Sequence, residues 1–126
     1  MPLVFVYGTL KKGHRNHYVI EGPTTTFHST AVLPFKARMF CVGFPVIVKS
    51  ASPIQIEGEL YSVDRATFRD LDSLESNGRM YKRRRKRLAD GRLAWVYIGM
   101  DRFWQARTHS NPVLPDADGV TRWRAR

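Results

Sequence analysis

Glu75 is the side chain whose type and position bear most directly on chemistry. It closes the segment Arg65-Ala66-Thr67-Phe68-Arg69-Asp70-Leu71-Asp72-Ser73-Leu74-Glu75, which follows Asp64 as N-cap and stops at Ser76-Asn77-Gly78. At about 100° per residue, Glu75 falls between Leu71 and Phe68 on the apolar stripe of the predicted helix, and Asp70 falls on the opposite side. A carboxylate on a buried stripe needs a reason. Burial and the C-terminal end of the helix dipole both raise its pKa. A raised carboxyl pKa suits proton transfer near neutrality. The plain alternative is that Glu75, as the last residue, turns out to water or pairs with an arginine. The other acids suit the task less. Glu57 and Glu59 share the polar face of one strand, Asp64 is a cap and Asp90 lies in a turn, while Glu21 stays open as a loop carboxylate.

The remaining inventory is thin. Cys41 lies between Phe40 and Val42, an apolar setting that keeps a thiol protonated. His14 and His17 are three apart, but no further His or Cys cluster completes a zinc site, which takes about four ligands. No metal is expected. Gly8-Thr9-Leu10-Lys11-Lys12-Gly13 has the outer spacing of a phosphate loop but lacks the Lys-Ser/Thr that follows the second glycine. A nucleotide site is not expected either.

The elements that must position these groups are mostly strands. Leu3–Tyr7 is a continuous apolar run that predicts a strand buried on both faces, with Gly8 opening a tight loop at its end. Asn16–Ile20 predicts a short helix with Asn16 as cap. Thr24–Phe27 and Thr30–Leu33 are β-prone. Phe44–Val48 predicts a second buried strand, and Pro45 argues for an edge or a bulge there. Ile54–Val63 alternates, with Ile54, Ile56, Gly58 and Leu60 on one face. Tyr81–Leu88 and Leu93–Ile98 flank Asp90-Gly91, a hairpin signal. Beyond Met100, prolines and Gly119 predict an irregular, loosely attached C-terminal extension over residues 100–126. One clear helix among many strands predicts an α+β fold built on a strongly curved, barrel-like sheet.

Composition bounds the classes. The chain has 126 residues, 43% hydrophobic and 25% charged, which predicts a single domain over residues 1–126. One cysteine excludes an internal disulfide scaffold. The longest apolar runs are too short to span a bilayer, and the first residues lack a basic region followed by an apolar one, so a soluble cytoplasmic protein is expected. Basic residues outnumber acidic ones 21 to 11, for a formal charge of +10. Seven of the nine positions from Arg79 to Arg87 are basic, and Arg122, Arg124 and Arg126 add a basic tail. Such charge fits a solvated coat or a nucleic-acid-binding module. No zinc-finger, helix-turn-helix or RNA-recognition signature accompanies it, which argues against nucleic acid as the partner.

The run Leu3-Val4-Phe5-Val6-Tyr7-Gly8-Thr9-Leu10-Lys11-Lys12-Gly13, followed by Asn16-His17, resembles the opening of the γ-glutamylcyclotransferase family, nearest its γ-glutamylamine cyclotransferase (AIG2-like) branch. Phe44–Val48, Ile56–Asp64, and Leu71–Glu75 followed by Tyr81-Lys82-Arg83 fit in the same order, so the resemblance runs from Leu3 to Tyr97. It implies a small mixed β-barrel with short helices and a pocket at one end. It implies release of 5-oxoproline and a free amine from a γ-glutamyl amine, amino acid or peptide, without cofactor or metal. On this resemblance Tyr7, Gly8, Thr9 and Leu10 cradle the γ-glutamyl group and Glu75 is the general acid/base. Tyr81 either orients Glu75 or packs inward as a strand aromatic. Asn16 either touches the pocket or only caps its helix, and Phe44 with Pro45 offers an apolar wall. The implied partner is a small-molecule γ-glutamyl substrate, with no nucleic acid and no membrane, for a monomer or weak homodimer.

The chemistry agrees with that assignment. The α-amine and the γ-carbonyl belong to one substrate, so the protein mainly folds it into an attack geometry. One carboxyl can take the amine proton and return it to the leaving nitrogen, and no covalent intermediate is required. The chain departs from the pattern in two places. Bases stand on both faces of the strand Lys82–Arg87, and the chain after Met100 matches nothing. Both leave the amine portion open. Two other readings stand beside this one: a basic nucleic-acid-binding module using Arg79–Arg87, and a catalytically silent protein that binds a γ-glutamyl ligand.

Overall fold

Strand β1 (Leu3–Val6) lies in the middle of the sheet because its side chains are apolar on both faces. Val4 and Val6 join one buried cluster; Phe5 and the following Tyr7 join the other. The computed structural model describes residues 1–104 and 111–124. β1 runs antiparallel to β3 (Pro45–Ser62) and parallel to β5 (Leu93–Gly99). With β2 (Thr26–Cys41) and β4 (Tyr81–Arg87), the order across the sheet is β2-β3-β1-β5-β4, and β6 (Val120–Thr121) pairs with β3.

The sheet curls strongly. The long β2–β3 ribbon shifts register between Phe27 and Ser29 and again between Lys36 and Ala37, and such bulges bend and twist a ribbon. Gly58 helps: a Cβ there would lie 2.4 Å from the Val6 carbonyl oxygen and 2.6 Å from the Phe5 ring. The two edges then approach. The Ala89 amide donates to the Val32 carbonyl at 2.8 Å, and Arg92 Nη2 donates to Ser29 Oγ at 2.8 Å. β2 and β4 still form no ladder, so the expected barrel is an open, curled mixed sheet. β4 carries a base at every position except Tyr81, and an edge built this way resists pairing. Its bases on both faces have a physical account. Arg83 stacks over Phe68 at 4.1 Å and Trp95 at 5.2 Å, Arg85 lies over Trp95 at 5.0 Å, and Lys86 lies over Phe35 at 4.5 Å.

One face of the sheet is covered by helix α1 (Arg65–Leu74), a single 3-10 turn (His17–Val19) and helix α2 (Asp101–Trp104), which bury Leu71, Ile20 and Trp104 against Val4 and Val63. The other face buries Phe5, Leu33, Ile47, Ile56, Leu60 and Val96. Asp64 caps α1, accepting from the Thr67 amide at 2.7 Å. Asn16 precedes the 3-10 turn but does not cap it through its side chain. Pro45 marks neither an edge strand nor a bulge. It is the first residue of the interior strand β3, opposite Cys41, a place where a missing N–H is tolerated.

The described part of the C-terminal extension is irregular over most of its length but firmly attached, contrary to the expectation of loose attachment. Trp104 and Trp123 are buried, and burying two such large rings fixes the chain that carries them. β6 runs parallel to Gln55–Ile56, and the amides of Cys41 and Val113 bond the carbonyls of Asn111 and Met39. Among the described residues, no helix is long and apolar enough to cross a membrane.

Candidate active site

β1 delivers Tyr7 into a loop that folds back on itself. The Lys11 amide donates to Gly8 O at 3.0 Å, the Asn16 amide to Thr9 O at 3.0 Å, and Asn16 Nδ2 to Thr9 Oγ1 at 2.9 Å. The side chain expected to cap the 3-10 turn or to touch ligand therefore braces the loop instead. The Lys12 amide is drawn to Glu59 Oε1 at 2.8 Å. Within the described residues the amides of Gly8, Thr9 and Leu10 donate no hydrogen bond. Opposite them stands Pro45. A Cβ on Gly8 would lie 2.6 Å from Pro45 Cγ, so only glycine lets loop and wall come this close.

Glu75 is the C-cap of α1. Ser76 follows in the left-handed region (φ 48°), the Asn77 amide donates to Asp72 O at 2.9 Å and the Ser76 amide to Ser73 O at 3.2 Å. This is the bonding of a Schellman turn, here with serine where glycine is usual. The turn ends the helix at the pocket and leaves Glu75 aimed into it. The pocket holds about 410 Å³, its open mouth included, and Tyr7, Gly8, Thr9, Leu10, Phe44, Pro45, Glu75, Tyr81 and Tyr97 line it.

Burial raises the Glu75 carboxyl from 4.5 to about 7. Its carboxylate makes no hydrogen bond or ion pair among the described residues. Three phenols surround it. Tyr7 is raised well above its ordinary value by burial, then by Tyr81 and Glu75. Its hydroxyl donates to Tyr97 O at 2.7 Å. Burial and the nearby Glu75 raise Tyr81, and burial with the Asp72 hydrogen bond raises Tyr97. All three stay neutral at physiological pH, so the acid sits beside hydroxyl dipoles rather than charges.

A clamp fixes the end of α1. Tyr97 Oη donates to Asp72 Oδ1 at 2.6 Å, and Arg83 Nη1 donates to Asp72 Oδ2 at 2.7 Å. The Arg83 amide also donates to Asn77 Oδ1 at 3.0 Å. β4 and β5 thus grip the helix one turn before Glu75 and again just after it.

Of the residues expected at a site, Glu75, Tyr7, Gly8, Thr9, Leu10, Pro45 and Tyr81 line this one pocket, and Asn16 stands behind it. Glu75 neither turns out to water nor pairs with an arginine. The sequence reading missed Tyr97. Counting outward from the Asp90-Gly91 turn brings Tyr97 opposite Arg83, which was the available signal. Among the described residues, no group of three or more His, Cys, Asp or Glu is placed to share a metal ion.

Residues 4–123 match the family model described as gamma-glutamyl cyclotransferase, AIG2-like. The chain belongs to that family. Relatives of this AIG2-like chain include the gamma-glutamylaminecyclotransferase of Homo sapiens, 34% identical over 94 residues. That match takes in 66% of this chain and 59% of the human protein, so the chain spans under two thirds of that relative's length. The Mus musculus protein of the same name is 34% identical over 95 residues, with 66% and 60% covered. The fold is that of the crystal structure of an AIG2-like protein from Mus musculus, with a TM-score of 0.71 at 23% identity over 100% of this chain and 97% of that one.

Proposed function

We propose that this chain cyclises γ-glutamyl amines, γ-glutamyl amino acids or γ-glutamyl peptides, releasing 5-oxoproline and the free amine, with Glu75 as general base and then general acid. The observation that supports this best is a carboxyl without a partner among the described residues, lining one pocket with loop residues whose amides donate no hydrogen bond there. The γ-glutamyl chain folds between the Gly8–Leu10 loop and the Phe44–Pro45 wall. Glu75 takes a proton from the α-ammonium group. The freed amine attacks the γ-carbonyl, and the new C–N bond closes a five-membered ring. Loop N–H groups offset negative charge on the carbonyl oxygen or hold the substrate carboxylate. The bond to the leaving nitrogen breaks as Glu75 returns its proton there, so the carboxyl ends as it began. Reactants joined in one molecule keep the entropic cost low, and general acid–base catalysis by the carboxyl supplies about 10²- to 10⁴-fold. The names of the human and mouse relatives agree with this activity.

The test is 5-oxoproline release by the purified chain from a panel of γ-glutamyl compounds. Activity is expected from the native chain and a loss of about 10²-fold or more from Glu75→Gln. No release from any member of the panel sinks the reading.

A further inference from the structure

Beside the pocket lies a second, wider cleft of about 1770 Å³, its mouth included. Thr9 lines both spaces, and Gly43 lines the cleft directly before Phe44 and Pro45 line the pocket. A substrate whose γ-glutamyl end fills the pocket must project its amine portion away from the buried end, and this cleft adjoins the pocket at Thr9. Its charged walls differ in whether they are already paired. Arg15, Arg122 and Arg124 line it against a single carboxylate, Asp116. Asp116 is already held, by Arg122 Nη1 at 2.8 Å and Arg124 Nη2 at 3.0 Å, and these arginines push its carboxyl down to about 2. Arg122 also holds Glu57 at 3.1 Å and Asp118 at 2.8 Å. Arg15, in contrast, is exposed and has no ion pair or hydrogen bond among the described residues.

We propose that this cleft receives the leaving amine and selects leaving groups that carry a carboxylate over those that carry a second cation, with Arg15 as the recognising charge. The proposal rests on the cyclotransferase reading. Among the described residues, a cationic leaving group finds Asp116, Asp118 and Glu57 held by arginines and must displace one to reach them. An anionic leaving group meets an arginine that has given up no partner. The formal charge of +10 acts in the same direction, drawing anionic substrates to the surface. An amino acid or short peptide joined through its α-nitrogen to the γ-carboxyl has the required chemistry.

The experiment compares γ-glutamylglycine, γ-glutamylglycinamide and mono-γ-glutamyl-ethylenediamine. These share the scissile amide and the product 5-oxoproline, and they differ in a terminal carboxylate, a neutral amide and an ammonium group. The expected order of kcat/KM is anionic, neutral, cationic, with steps of about two- to fivefold, the size of one exposed charge contact. The spread narrows as salt is added. Arg15→Ala shrinks the preference for γ-glutamylglycine over γ-glutamylglycinamide, and Arg15→Glu reverses it. Equal turnover of all three, a faster cationic substrate, or an order unchanged in both variants overturns the assignment of the cleft and leaves the cyclotransferase reading standing. No turnover of any of the three by the native chain removes both.

Discussion

The phenol of Tyr97 donates to Asp72 Oδ1 at 2.6 Å, one helical turn before Glu75, while Arg83 holds the other oxygen of the same carboxylate at 2.7 Å. Asp72 is on α1; Tyr97 and Arg83 are cross-strand neighbours on β5 and β4. The hairpin therefore sets where α1 ends, and the end of α1 sets where the Glu75 carboxyl points. Asp72 touches no space in the pocket, so it is a positioning residue. Asp72→Ala is expected to cost about 1–3 kcal/mol of stability, because a phenol and a guanidinium lose their acceptor. It is expected to lower kcat by about ten- to hundredfold with a smaller change in KM, as misplacement of a reacting group does, and to shift the pH profile that Glu75 imposes. Asp72→Asn keeps an acceptor for Tyr97 and restores part of kcat. A stability loss with kcat and the pH profile unchanged sinks the positioning role.

The Glu75 carboxyl supplies a pH dependence whose sign is fixed. Its folded value, about 7, lies above its ordinary 4.5. The folded state therefore binds more protons than the unfolded state between these limits, and stability falls as pH rises through that window. The full cost of ionising a buried carboxyl is present above about pH 7 and amounts to about 3 kcal/mol. Glu75→Gln is thus expected to match the native chain in urea denaturation near pH 4.5 and to exceed it by about that amount at pH 8. For activity the dependence is opposite in sense. In the proposed reaction Glu75 acts first as a base and must be deprotonated, so kcat/KM is expected to rise with pH through about 7. A pH–rate profile flat from 5 to 8, or a Gln variant no more stable at pH 8, contradicts the assignment.

Gly8 and Pro45 come from distant parts of the sequence and share one contact. A methyl group on Gly8 would stand 2.6 Å from Pro45 Cγ. Gly8→Ala is expected to push the loop and the wall apart, lowering kcat/KM by about ten- to hundredfold at a cost of about 1–3 kcal/mol in stability. Adding Pro45→Gly makes room for the methyl and recovers part of both losses. The coupling is read from a double-mutant cycle, and simple additivity of the two effects rules the contact out as the cause.

How much of this was legible in the residues follows from the range of the forces involved. Short-range patterns carried β1, the hairpin across Asp90-Gly91 and the Asp64-capped helix with Glu75 on its apolar stripe. The resemblance named the loop Tyr7–Leu10. What escaped depended on contacts between distant segments. Pro45 read as an edge marker because its own sequence says only that it lacks a donor; that β3 begins there is set by its pairing with β2. Asn16 read as a cap, but the loop that folds over it offered Thr9 Oγ1 as a nearer partner. The sheet stays open between β2 and β4, and the stacking of the β4 bases on Phe68, Trp95 and Phe35 is invisible until those rings are placed. Tyr97 needed the register of the hairpin as well as its existence.

The C-terminal extension read as loosely attached for the same reason, since what ties it to the cleft is tertiary contact at Trp123. Trp123 is only 6% exposed, its ring lies 5.1 Å from that of His14, and its carbonyl accepts from Lys11 Nζ at 2.8 Å. His14 and Lys11 belong to the loop that carries Thr9. Trp123→Ala is therefore expected to act twice. Removal of a buried indole costs about 3–5 kcal/mol, and the loop loses the surface that backs it. Trp123→Phe keeps a ring against His14 and is expected to recover most of the stability and the KM. Thermal denaturation and KM for a γ-glutamyl compound, measured on both variants, separate the two effects. A Trp123→Ala chain that melts with the native one, or that loses stability with KM unmoved, shows that this end of the chain does not support the loop.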